Sequence, residues 1–98
     1  MIVLTAYATL LPDKLEQALD ACRTVRLHSV REPGCERYDF FMSPDHPGRV
    51  VFVEEWTSRA HLNEHFEREA FQQFFATIAD MLADRPEIRV FESTLLEE

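Results

Sequence analysis

The sequence predicts an α+β fold: a ferredoxin-like β-α-β-β-α-β chain in which two helices cover one face of a four-stranded antiparallel sheet. Three observations carry this. Four short stretches have strand character: Ile2 to Thr9, Cys35 to Met42, Arg49 to Trp56, and Glu87 to about Thr94. Two longer stretches repeat apolar residues every three or four positions, as a helix with one buried side does. Turn-forming residues separate them, most plainly Glu32-Pro33-Gly34 and the loop Ser43-Pro44-Asp45-His46-Pro47-Gly48. At 98 residues the chain is one domain, residues 1–98, with one two-layer core.

Each element follows from its residues. In the first strand Ile2, Leu4, Ala6 and Ala8 point one way, and Val3, Thr5, Tyr7 and Thr9 the other. Pro12 suits a first helical turn, where its missing N–H has no partner to lose, and Asp13 favours the positive end of the helix. Leu15, Ala18, Leu19, Cys22, Val25 and Leu27 form that helix's buried side. Strand two places Cys35, Arg37, Asp39 and Phe41 on one face, and Glu36, Tyr38, Phe40 and Met42 on the other. Strand three runs into Glu54-Glu55-Trp56, and Thr57-Ser58 open a long helical stretch to Leu82 with a break expected near Arg68-Glu69. The alternation sends Glu54 and Glu55 to opposite faces, so they are not a paired acid and base, and Arg37 is a candidate ion-pair partner for one of them.

Composition narrows the partners. Ten basic residues against eighteen acidic ones give a net charge of -8, which repels phosphate backbones and anionic membranes. Met1 to Leu4 reads as the start of a strand rather than a leader, and no apolar run approaches the roughly 20 residues of a membrane span. Cys22 and Cys35 stand alone and read as reduced thiols, which points to the cytoplasm. Both sheet faces carry large apolar groups, although helices cover just one. At about 25 cal/mol per Å² such an open face favours a partner over water, and a two-fold homodimer through it is the expectation.

At Glu32-Pro33-Gly34-Cys35, Tyr38-Asp39, Glu54-Glu55-Trp56 and His65-Phe66, the sequence resembles the antibiotic biosynthesis monooxygenase family, in its small quinol-monooxygenase-like branch. Phe71-Gln72-Gln73-Phe74 and Glu87-Ile88-Arg89-Val90-Phe91-Glu92 extend the likeness over nearly the whole chain. The resemblance implies a dimeric α/β barrel with a pocket in each subunit between helices and sheet. It also implies cofactor-free oxidation of a quinol or polycyclic phenol by dioxygen. Other relatives degrade haem or isomerise a small phosphorylated signal molecule. Many members of the branch have a second histidine where Ala70 stands here. Haem-degrading relatives would have tryptophan at the place of His65 and an axial histidine near Phe75, and this chain has neither.

His65 is the candidate catalytic base. An imidazole in an apolar pocket can be neutral at pH 7 and accept a phenolic proton, and a phenolate gives an electron to dioxygen far more readily than a phenol does. Phe66, Phe71, Phe74 and Phe75 would bury a flat ring. Trp56 is a candidate pocket wall, Tyr7 and Tyr38 offer hydroxyls to a substrate oxygen, and Asn63 stands beside the apolar stripe where it could orient one. The bland alternatives are a packed His65, a structural Trp56, and tyrosines at the sheet-to-sheet contact. His61 and His65 are four apart, but two ligands are too few for a zinc site and Glu64 faces elsewhere on the turn, so no metal is expected. His61, His28 and His46 read as surface histidines. Two other functions compete with the oxygenase: an isomerase of a small hydroxycarbonyl compound, phosphorylated or not, and a non-catalytic ligand-binding dimer.

Overall fold

A computed structural model describes residues 1–98. Strands β1 (Ile2–Thr9), β2 (Cys35–Met42), β3 (Arg49–Trp56) and β4 (Glu87–Glu92) form one sheet in the order β2-β3-β1-β4, with every neighbouring pair antiparallel. Helix α1 (Leu15–Ser29) follows a single 3₁₀ turn at Pro12–Lys14, and α2 (Arg59–Glu67) and α3 (Glu69–Ile78) carry the second helical stretch, ending in a 3₁₀ turn at Ala79–Met81. The expected ferredoxin-like arrangement is the one found, with β4 two residues shorter than expected.

Sheet register decides what meets the helices. Leu4, Glu54 and Tyr38 are cross-strand partners, as are Ala6, Phe52 and Phe40. These residues, with Trp56, Val50 and Ala8, face the layer of α1 and α3. Leu4, Leu10, Ala18, Leu19, Cys22, Val25, Tyr38, Val50, Phe52, Trp56, Leu62 and Ile78 make one buried core.

Three local expectations change. Cys35 packs against the core with Trp56, its partner across the ladder, whereas Arg37 faces out. A register shift between Cys35 and Arg37 reverses the alternation there, as an inserted bulge residue does. Leu27 is 60% exposed, because the buried side of α1 passes from Val25 to Ser29. The second helix breaks where expected, at Arg68, whose φ of -73° and ψ of 148° are extended. Gln72 bridges that break, its side-chain N–H donating to the Phe66 carbonyl over 2.6 Å while its backbone N–H donates to the Arg68 carbonyl over 3.0 Å. Finally, His61 is half-buried rather than a surface histidine. Its ring lies over Gly34, where a Cβ would come 2.3 Å from His61 Cγ.

Candidate active site

The site grows from one carboxylate on an apolar face. In β3 the inward positions run Val50, Phe52, Glu54, Trp56, so the strand that delivers two core aromatics also delivers an acid. Glu54 is 4% exposed. A buried carboxylate needs donors, and the Trp56 indole N–H supplies one to Glu54 Oε1 over 3.1 Å. Its remaining neighbours are an imidazole and a phenol.

His65 comes from α2 and is fully buried. Its Nδ1 lies 2.9 Å from Glu32 Oε1, in the loop between α1 and β2. That contact places the proton on Nδ1, which donates to the carboxylate, and leaves a lone pair on Nε2. Nε2 has no hydrogen-bond partner, and the nearest acid oxygen to it is Glu54 Oε1 at 4.0 Å. Glu32, with a side chain 6% exposed, also stands 3.6 Å from the Arg68 guanidinium, so the break between α2 and α3 brings a cation to the outer end of the row. The result is a line Arg68–Glu32–His65–Glu54, exposed at the Arg68 end and buried from Glu32 inward.

Burial moves the protons. It pushes the Glu54 carboxyl up from 4.5 to about 7; the Trp56 N–H and the Tyr38 hydroxyl draw it back, and the Glu32 charge pushes it further up. Burial lowers the His65 imidazole below its usual 6.5 against the opposing pull of Glu32. Tyr38 is raised far beyond an ordinary phenol, first by burial and then by the Glu54 charge, so it stays a neutral hydroxyl. Cys22 and Cys35 are free thiols that burial pushes up to about 12 and about 11, which keeps both from acting as nucleophiles.

Between the sheet and α3 lies a cavity of about 150 Å³. Its floor is Leu4, Ala6, Ala8, Val50 and Phe52, and its roof is Phe66, Phe71, Phe74, Phe75 and Ile78. Small alanines on β1 leave the room that the phenylalanines of α3 enclose. Glu54 is the one charged side chain on its wall, with Tyr38 beside it. The mouth opens past Phe75 and Ile88, which are 57% and 55% exposed.

The structure sorts the expected site residues. Phe66, Phe71, Phe74, Phe75 and Tyr38 line the cavity together. His65 stands behind the wall, with its ring centroid 5.1 Å from that of Phe71 and 4.8 Å from that of Trp56. Trp56 is fully buried and holds Glu54 rather than forming open wall. Tyr7 is 43% exposed on the opposite sheet face. Asn63 is exposed on α2, where its side-chain oxygen accepts from Arg59 over 3.1 Å, away from the cavity lining. Glu54 and Glu32 were not among the expected site residues. Glu54 carries a signal in the sequence, an acid sharing parity with Phe52 and Trp56; Glu32 stands in the Glu32-Pro33-Gly34-Cys35 stretch of the family resemblance, but no periodicity points a turn residue inward. Glu55 takes the outer face and bonds Arg37 over 3.2 Å. No three His, Cys, Asp or Glu side chains converge in a metal-binding group.

A four-stranded antiparallel sheet roofed by helices, with one apolar cavity and a buried acid between them, defines a small ferredoxin-like α+β domain. The antibiotic biosynthesis monooxygenase model matches residues 1–77, and the chain belongs to that family. It is 34% identical over 83 residues to YcnE of Bacillus subtilis, named as a proposed monooxygenase, covering 85% of this chain and 87% of that protein. It is also 32% identical to the uncharacterised Synechocystis protein sll1783 over 93% of this chain, and spans 62% of that protein's length. Among solved structures, a proposed antibiotic biosynthesis monooxygenase from Nitrosomonas europaea superposes with a TM-score of 0.93 at 30% identity, covering 97% of this chain and 100% of the other. A Shewanella oneidensis protein, SO0527, superposes at 0.84 with 30% identity over 92% and 87% of the two chains.

Proposed function

We propose that the chain is a monooxygenase that oxidises an uncharged quinol or phenol with dioxygen and uses no bound cofactor. The observation that carries this is the cavity: nearly all apolar, with one buried acid and one phenol as its polar features. An apolar wall takes up a flat, uncharged ring and dioxygen, and a carboxylate on that wall can accept a proton from the ring. The resulting phenolate transfers one electron to dioxygen; recombination of the radical pair gives a peroxide that loses water. For a hydroquinone the balance is quinol plus dioxygen giving hydroxyquinone plus water.

Size favours one ring. A dry cavity of about 150 Å³ lined by aliphatic and aromatic side chains holds a benzene, and this cavity has that volume. A single-ring quinol therefore fits better than a polycyclic phenol, with any substituent leading out past Phe75 and Ile88. The lining holds no arginine, lysine or histidine to meet a phosphate, which weighs against a phosphorylated isomerase substrate.

The same reading places two copies together through the outer sheet face, where Val3, Tyr7, Phe41, Val51, Val53 and Phe91 lie opposite the helices. Tyr7, Phe41 and Phe91 are 43%, 55% and 46% exposed, a density of aromatics that a partner would cover. No helix is long and apolar enough to cross a membrane, and two free thiols suit a reducing cytoplasm.

Oxygen uptake tests the proposal: metal-depleted protein with a panel of uncharged hydroquinones, with autoxidation subtracted. Uptake proportional to protein, with a hydroxylated quinone as product, supports it. No uptake above background across the panel overturns it and leaves an isomerase of an unphosphorylated hydroxycarbonyl compound or a ligand-binding dimer as the reading.

A further inference from the structure

We propose that Glu54, rather than His65, takes the substrate's phenolic proton, and that His65 and Glu32 stand behind it to hold that proton on Glu54 until it is returned. This rests on the reading of the cavity as a phenol-oxidising site. Geometry carries it. Glu54 is on the cavity wall, whereas His65 is fully buried and is not among the residues that line the cavity. The one unpartnered ring nitrogen, His65 Nε2, is aimed at Glu54 Oε1 across 4.0 Å, and the opposite nitrogen is anchored on Glu32 at 2.9 Å. A buried lone pair without a donor is uncommon, and the group facing it becomes a donor once it is protonated.

The step balances simply. The substrate O–H bond breaks, an O–H bond forms on the Glu54 carboxylate, and a phenolate remains in the cavity. The Glu54 carboxyl then turns its O–H toward Nε2, which accepts it as a hydrogen bond while the Nδ1–H stays on the Glu32 carboxylate. The reverse path returns the proton when the peroxide is lost as water. Every titratable or charged group facing Glu54 fits this: Tyr38 from β2 stays a neutral hydroxyl, Cys22 and Cys35 stay thiols, and Arg68 offsets the charge of Glu32. Burial that raises Glu54 to about 7 brings it nearer the value of an ordinary phenol, about 10, than a surface carboxylate would be. Glu54 is then the catalytic residue, and His65 and Glu32 are positioning residues.

The test reads protons without turnover. Hydroquinone is added under argon at pH 8 to protein with ¹³C-labelled glutamate carboxyls, while ultraviolet difference absorbance reports phenolate. The proposal expects Glu54 to become protonated as the phenolate band appears, with no such pairing in Glu54→Gln. A phenolate formed with Glu54 still ionised, or a bound hydroquinone that stays un-ionised, overturns it. With any substrate that consumes oxygen, Glu54→Gln should lower kcat about 100-fold or more with KM little changed. Glu32→Gln removes a charge that raises both Glu54 and His65, so it should move the acid limb of the kcat/KM profile to lower pH. A loss of rate in Glu32→Gln with no movement of that limb would reduce Glu32 to a structural part. Failed oxygen uptake with successful proton transfer would sink the oxygenase reading while keeping the acid assignment.

Discussion

Glu54 couples folding to pH in a direction opposite to most carboxylates. Its carboxyl is raised from 4.5 to about 7 in the folded chain, so between those values the native state binds more protons than the unfolded one. Stability from this group is fully present below about 4.5, falls as pH rises, and is gone above about 7. His65 runs the other way: held neutral below its usual 6.5, it lowers stability as acid protonates the unfolded chain. The two slopes oppose each other in the wild type. Glu54→Gln removes the first, so urea midpoints taken from pH 5 to 8 should show the variant gaining on the wild type by a few kcal/mol as pH rises. A constant difference across that range would contradict the buried-acid description. Gly34 gives a second residue-scale test. Its φ of +79° and the His61 ring over its Cα leave no space for a methyl group, so Gly34→Ala should destabilise by at least about 2 kcal/mol in urea titrations. The sequence makes the inward parity of Glu54 legible, because the acid alternates in step with Phe52 and Trp56. It does not show that Glu32, a turn residue 33 positions before His65, lies against that histidine, since long-range closure of a turn on a helix leaves no periodic trace.

The elements were legible to within a residue or two, because strand alternation and helical periodicity are local signals. The break at Arg68 was legible as a place, but its consequence was not. It brings the Arg68 guanidinium to Glu32 and seats α3 over the cavity. The bulge at Cys35–Arg37 reverses a parity that strict alternation would keep, and nothing in that stretch signals it. Helix α2, which holds His65, depends on its first turn. Ser58 is the N-cap, and its hydroxyl accepts from the His61 backbone N–H over 3.2 Å and meets His61 Nδ1 at 2.8 Å. Ser58→Ala should therefore cost about 1 kcal/mol of stability in thermal or urea unfolding. A neutral result would mean that packing of Leu62 and His65, not the cap, holds the helix start.

At the scale of the whole molecule the sheet has two faces with different tasks. The inner face supplies the cavity floor and Glu54. On the outer face, Phe41, Val51 and Tyr7 form one cross-strand row over three strands. In the homodimer proposed here that row is central, so Val51→Glu should convert a species of twice the 11.5 kDa chain mass into one of the chain mass in sedimentation. A monomeric wild type would end the dimer reading. The chain's one tryptophan offers the most direct view of the site as a whole. Trp56 bonds Glu54 and stacks near His65, so its fluorescence reports what enters the cavity. The deciding measurement is an anaerobic titration of that fluorescence with an uncharged hydroquinone, for wild type beside Ala6→Ile, which fills the cavity floor. A saturable change in the wild type that is lost in Ala6→Ile is the result expected of a ring bound against Glu54. No saturable change, or one that Ala6→Ile leaves intact, would place the ligand elsewhere and contradict the account.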